Sequence, residues 1–267
     1  MEYKLIAVDM DGTLLTPELD ISKETIEAVR SVMDKGIMFA LSTGMMYLDA
    51  LPFAKKLQFD IPIITCNGAI TKCSRTGRIY DKKLIPKEYF LEIIDYCEGE
   101  DLQLSIFDDD EIFIKEHSDN FQIHKELDMV EPKVIKNFRT LIGSSIIKIM
   151  FNCRDKAKLE RHARTLYYRY ENKLNFNFSL PYFGEILNKD VNKRNALVEL
   201  AKKLNIRRED IIAIGDSYND IEMLEYAGLG VAMGNASRYL KDRADYVTDS
   251  NDKDGVRYVL EKFVLEK

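Results

Sequence analysis

At 267 residues the chain is too long for a minimal domain and suits one large domain or two modest ones. Hydrophobic residues make up 46%, enough for a soluble core, and no apolar run approaches the roughly 20 residues that span a bilayer. The net charge of −6 argues against a nucleic-acid partner, which asks for a basic face, but leaves room for a small phosphorylated ligand held by a metal ion and a few local cations.

The N-terminal stretch up to Asp9 reads as a strand, with Leu5–Val8 as its buried part and no signal peptide ahead of it. Ser22 to Lys35 reads as a helix. Ser22 can cap it, Ile26, Val29 and Met33 share a face, and Gly36 ends it. Ile37 to Leu41 is the next strand. Met46 to Leu57 can be helical, with a break or a late start expected at Pro52. Ile61–Ile64 is a third strand, and this β-α-β-α-β rhythm implies a parallel sheet with helices on both faces.

From about residue 84 the rhythm changes. Lys87 to Cys97 reads as a helix, Leu102–Phe107 with Ile112–Lys115 as a hairpin around Asp108-Asp109-Asp110, and Ser145–Phe151 as a strand. Lys156 to Arg169 follows as a helix, and Leu174–Phe178 with Tyr182–Leu187 as a second hairpin. Lys193–Leu204, Ile211–Ile214, Asp220–Tyr226 and Gly230–Ala232 then restore the helix–strand alternation. The expected architecture is an α/β core of residues 1–83 and 189–267, a Rossmann-like parallel sheet, interrupted by an α+β domain over 84–188.

Four segments fall at the ends of expected strands or the starts of helices, where ligands of open α/β sheets bind. Asp9-Met10-Asp11-Gly12-Thr13 places two carboxylates after the first strand. Their mutual repulsion calls for a cation, a shared proton or solvent, and a hard divalent ion such as Mg²⁺ is the natural partner. Alone, this pair reads as an acidic turn. Ser42-Thr43-Gly44 offers hydroxyls and free N–H groups for phosphate oxygens, although such clusters are usually turns. Lys193 can meet a phosphate as a point charge, although most lysines are solvated. Gly215-Asp216-Ser217-Tyr218-Asn219-Asp220 adds two carboxylates and an amide. Together they supply what phosphoryl transfer needs: positioning, charge neutralisation and an in-line nucleophile.

With these motifs the sequence resembles the haloacid dehalogenase superfamily, and within it the Cof-type phosphatases with a large α/β cap of type IIB. The likeness covers nearly the whole chain and extends to Cys66-Asn67-Gly68-Ala69, Val231-Ala232-Met233-Gly234-Asn235-Ala236 and Asp254-Gly255-Val256. The resemblance implies Asp9 as nucleophile, Asp11 as general acid/base, and Ser42, Thr43, Gly44, Lys193 and Asn219 as phosphate-binding groups. It implies Mg²⁺ held by Asp9, Asp11 and Asp216, with Asp220 orienting that shell or Lys193, and with Asn67 and Gly68 lining the pocket. Many relatives carry Arg at Met45 and Gly at Arg194, so a cation near the substrate is missing unless Arg194, read here as facing solvent, replaces it.

The expected function is hydrolysis of a small phosphorylated metabolite (a sugar phosphate, a nucleotide or a cofactor phosphate) through an aspartyl-phosphate. A sugar phosphomutase and a non-catalytic phosphate-binding regulator are the alternatives. No nucleic acid or membrane is expected as a partner, and the chain is expected as a monomer or homodimer. Cys66, Cys73, Cys97 and Cys153 form no CxxC pair, which fits a reducing, cytoplasmic setting rather than a disulfide framework or zinc site. The Asp108-Asp109-Asp110-Glu111 run reads as a solvated hairpin tip, and His117, His124 and His162 as ordinary residues of the inserted domain. Tyr167, Tyr168 and Tyr170 read as helix packing, and Asn251 and Asp254 as either groups behind the metal or plain caps.

Overall fold

The computed structural model describes residues 3–116, 118, 120–127, 130–178 and 183–266. The chain divides into two compact units, Met1–Asp81 with Asn192–Lys267, and Lys82–Val191. In the first, β1 (Leu5–Asp9) is buried along its whole length, as its unbroken apolar run requires of a strand covered on both faces. Helix α1 (Lys23–Asp34) starts at Ser22, whose Oγ accepts from the Thr25 amide at 3.1 Å. Strand β2 (Met38–Ser42) leads to α2 (Tyr47–Leu57), which continues through Pro52. The expected break is absent: proline removes one bond to the fourth residue back, and the apolar face of Tyr47, Ala50, Ala54 and Leu57 keeps the rest of the ladder packed. Strand β3 (Pro62–Thr65) is followed by β4 (Ile70–Cys73), antiparallel to it, and by β5 (Ile79–Lys82). Only Cys66–Ala69 joins β3 to β4, too short for a crossover helix, so the chain must reverse.

The second unit contains α3 (Lys87–Gly99), β6 (Gln103–Phe107), β7 (Ile112–Lys115), α4 (Asn120–Leu127), β8 (Lys133–Ile135), β9 (Lys148–Asn152), α5 (Lys156–Tyr170), β10 (Leu174–Phe178) and β11 (Phe183–Asn188). Its sheet runs β10-β11-β9-β6-β7-β8. Leu104, Ile106, Ile149, Phe151 and Ile186 form an apolar core with Phe90, Ile94, Leu159 and Leu166 of α3 and α5. Gly184 faces the Phe151 ring so closely that an added Cβ would lie 2.2 Å from Cζ. Gly184→Ala is therefore expected to cost about 1–3 kcal/mol through overpacking, visible as a lower melting temperature.

The acidic run lies between β6 and β7 as a half-exposed tip, where Asp109 pairs with Lys82 and Glu111 with Lys133. His124 is buried with Nε2 2.7 Å from Ser105 Oγ, and His162 Nδ1 lies 2.7 Å from the Tyr96 hydroxyl. His117 lies outside the described residues. Tyr170 is buried and Tyr167 packs against Phe176, while Tyr168 is mostly exposed.

The first unit resumes with α6 (Lys193–Leu204), β12 (Ile211–Gly215), α7 (Ile221–Tyr226), β13 (Leu229–Ala232), α8 (Arg238–Lys241), β14 (Tyr246–Val247) and α9 (Gly255–Leu260). The eight-stranded sheet runs β14-β13-β12-β1-β2-β3-β4-β5 and is parallel from β14 to β3. Alternate residues of β1 serve opposite faces. Ile6 and Val8 pack with α1, α2 and α9, and Leu5 and Ala7 with α6 and α7. Among the described residues, no helix is long and apolar enough to cross a membrane.

Candidate active site

Three adjacent parallel strands, β12, β1 and β2, end at one level of the sheet. Asp9 closes β1 in register with Ser42, and β12 delivers Gly215 and Asp216 on the other side. Asp9 continues the alternation of Leu5 and Ala7, the side covered by α6. The first residue of that helix is Lys193, set by Asn192, whose Oδ1 accepts from the Asn195 amide at 2.6 Å. Lys193 Nζ donates to Asp9 Oδ1 at 2.5 Å and to Asp220 Oδ1 at 2.7 Å. Asp220 is fully buried, and its second oxygen accepts from the amides of Asp216 and Ser217 at 3.1 and 3.0 Å. Asp220 therefore holds both Lys193 and the loop that carries Asp216.

Asp216 Oδ1 accepts from Thr13 Oγ1 at 3.2 Å. Gly12 lies at φ +72°, and a Cβ there would come within 2.6 Å of Asp216 Oδ2, so this turn needs glycine for both its conformation and its space. Oxygens of Asp9, Asp216 and Asp220 lie within 4.8 Å of one another. Three carboxylates facing one ammonium leave two negative charges in a buried place, and a divalent cation is the partner that balances them. Asp9 and Asp216, with the Asp11 turn beside them, fit Mg²⁺, and Asp220 is already committed to Lys193 and two amides.

The electrostatics agree. Burial, reinforced by the charge of Asp220, pushes the Asp9 carboxyl well above the usual carboxylate range against the pull of Lys193. Burial and Asp220 likewise raise Asp216. Desolvation raises Asp11, with Lys193 opposing it. Burial works against the Lys193 ammonium, but Asp9 and Asp220 outweigh it and hold the group charged.

A folded-state Asp9 above its unfolded value binds more protons than the unfolded chain between those two values, so its contribution to stability falls as pH rises through that window. In the metal-free protein, melting temperature is expected to fall more steeply than in Asp9→Asn as pH rises above the ordinary carboxylate range. Mg²⁺, which favours the ionised carboxylate, is expected to flatten that difference. Calorimetric melts with and without a chelator check both.

On the β2 side, Ser42 and Thr43 are fully buried. Ser42 Oγ has no hydrogen-bond partner among the described residues. Thr43 Oγ1 accepts from the Met45 amide at 3.1 Å. Gly44 is exposed, and a Cβ there would sit 3.4 Å from Asn67 Oδ1. Asn67, in the left-handed region at φ +56°, accepts from Asn219 Nδ2 at 2.9 Å, so those two amides meet across the site. Gly68 is buried, and a Cβ there would strike the Asn192 carbonyl at 2.5 Å, so its smallness lets this turn approach the start of α6. Met45 packs against the apolar core. Arg194 is exposed, its guanidinium 5.6 Å from the Tyr226 ring centroid.

Asp254 Oδ1 accepts from Ser22 and Thr25 hydroxyls at 2.5 and 3.2 Å, so it ties the capped start of α1 to the loop before α9. Thr13 and Asn235 were given no role by the sequence alone. Asn235 lies in the quoted stretch Val231–Ala236, yet nothing in its neighbours along the chain reveals that Nδ2 reaches the Gly12 carbonyl at 2.8 Å.

A family model for haloacid dehalogenase-like hydrolases matches residues 6–260. A 5-amino-6-(5-phospho-D-ribitylamino)uracil phosphatase of Bacillus subtilis is 32% identical over 98% of both chains. Among solved structures, a haloacid dehalogenase-like hydrolase from Bacteroides thetaiotaomicron is 31% identical, with a TM-score of 0.88 over 98% of this chain and 99% of its own. A Thermotoga maritima structure, 28% identical, superposes with a TM-score of 0.90 over 98% of this chain and 97% of its own. The chain belongs to the haloacid dehalogenase-like hydrolases, among their Cof-type phosphatases.

Proposed function

We propose that the chain is a Mg²⁺-dependent phosphatase that releases phosphate from a small phosphorylated metabolite through an aspartyl-phosphate on Asp9. The observation that carries this reading is the buried Asp9–Lys193–Asp220 chain beside Asp216. It leaves one carboxyl group at a strand end, oriented by an ammonium, in an acidic cluster.

In the first step an Asp9 oxygen forms a bond to phosphorus while the bond from phosphorus to the leaving oxygen breaks, and Asp11 gives its proton to that oxygen. Burial raises the Asp11 carboxyl against the pull of Lys193, which is the direction a proton donor needs. In the second step Asp11 takes a proton from water as the water oxygen attacks phosphorus. The bond from phosphorus to Asp9 breaks, and inorganic phosphate leaves. Lys193 holds the Asp9 oxygen in place and offsets charge on the transferring group. The buried Ser42 hydroxyl supplies a further donor to phosphate oxygens. Mg²⁺, held by Asp9, Asp216 and the Asp11 backbone, would neutralise phosphate charge.

The B. subtilis relative makes 5-amino-6-(5-phospho-D-ribitylamino)uracil a first candidate within a panel of sugar, nucleotide and cofactor phosphates. Phosphate release is expected from at least one panel member with Mg²⁺, with loss on chelation and recovery on adding the ion back. No release across the panel at any Mg²⁺ concentration would refute the reading. Four free cysteines, three of them buried, support a reducing, cytoplasmic setting.

A further inference from the structure

Two loops far apart in sequence meet at Asn235. Its Nδ2 donates to the Gly12 carbonyl at 2.8 Å and lies 3.4 Å from Asp216 Oδ2. Its Oδ1 accepts from the Asn251 amide at 3.2 Å, and Asn251 Nδ2 donates to the Leu15 carbonyl at 2.8 Å. The loop under Asn235 is itself fixed. The Gly234 amide donates to the Asp249 carbonyl at 3.0 Å, and a Cβ on Gly234 would lie 2.7 Å from the Ser250 nitrogen. Asn235 therefore stands on a firm support and grips the turn that follows Asp9 at its one glycine.

Gly12 is the position where that turn is freest to rearrange, and the direction of the Asp11 carbonyl depends on it. We propose that Asn235 is a positioning residue: by holding the Gly12 carbonyl and steadying Asp216, it presets the groups that receive Mg²⁺, with Asn251 bracing it from behind. This rests on the metal-dependent reading given under Proposed function. Groups that hold ligands from behind typically change metal affinity by about 10–100-fold when removed.

Titration calorimetry with MgCl₂ alone, on wild type, Asn235→Ala and Asn251→Ala, separates the two ideas. Mg²⁺ binding is expected to weaken about 10–100-fold in Asn235→Ala and less in Asn251→Ala. Any fall in the metal-free melting temperature should be small, since these bonds are exposed, and phosphate release lost in Asn235→Ala should be recovered as Mg²⁺ is raised. Asn235→Ala binding Mg²⁺ as tightly as wild type would overturn the positioning role and leave the phosphatase reading intact. Unchanged Mg²⁺ affinity with a lowered metal-free melting temperature would also overturn it, by reducing Asn235 to a structural tie. Wild type that binds no Mg²⁺ would remove the metal-dependent reading itself.

Discussion

Asp9→Asn is expected to lower phosphate release by about 10³-fold or more while leaving the protein folded. The amide keeps the shape of the side chain but gives up the nucleophilic oxygen, so the loss should appear in kcat and persist at saturating substrate. Folding should survive because two opposing effects meet at this position. The substitution removes a desolvated charge that Asp216 and Asp220 repel, and it also removes one of the two carboxylates that hold Lys193. Lys193 keeps Asp220 at 2.7 Å, and Asp220 keeps its two backbone amides. A melting temperature near that of wild type together with lost activity is the expected pair of results. Retained activity would remove Asp9 from the chemistry.

Lys193→Met is expected to damage both activity and stability. The side chain is 1% exposed and is the one cation bonded to Asp9 and Asp220 among the described residues. Its removal leaves two buried carboxylates without a counter-charge, which typically costs about 3–5 kcal/mol. Methionine fills much the same volume, so the cost reports charge rather than a cavity. Lys193→Arg keeps the charge but needs room for a planar guanidinium where a single nitrogen now sits 2.5 and 2.7 Å from two oxygens, so activity should not return. Denaturant unfolding should show the stability loss for methionine, partly relieved as pH is lowered and Asp9, no longer held ionised by Lys193, takes up a proton. Full stability for Lys193→Met at neutral pH would show that the three-residue chain does not control the charge of this site.

Much of the parallel sheet was legible because its physics is local. Leu5–Val8 and Ile211–Ile214 are unbroken apolar runs, as strands covered on both faces must be, and Ser22 announces its helix through a cap that closes within three residues. Strands β4 and β14 were not legible. The first depends on how few residues follow β3, and the second is two residues long at a sheet edge. Pro52 misled because proline's local cost was weighed without the apolar face that outweighs it. The ion pairs of the acidic tip were not legible because Lys82 and Lys133 lie far from Asp109 and Glu111 in sequence.

The candidate site divides in the same way. Asp9, Asp216 and Asp220 could be picked out because carboxylates at strand ends are chemically conspicuous. That Lys193, 184 residues from Asp9, closes on it could be expected only through the family pattern. Asn235 shows the limit: an exposed amide in a loop has no distinguishing local pattern, and its reach to Gly12 exists only once the sheet has brought both loops together.

In the proposed mechanism a phosphoryl group rests on Asp9 between the two steps. Wild type turning over a generic aryl phosphate with Mg²⁺ can be quenched in acid, digested and examined by mass spectrometry. One phosphoryl group is expected on the peptide that holds Asp9, with none on the corresponding peptide of Asp9→Asn. Rapid turnover with no phosphoryl group on that peptide at any quench time would contradict it and would mean that water attacks the substrate directly.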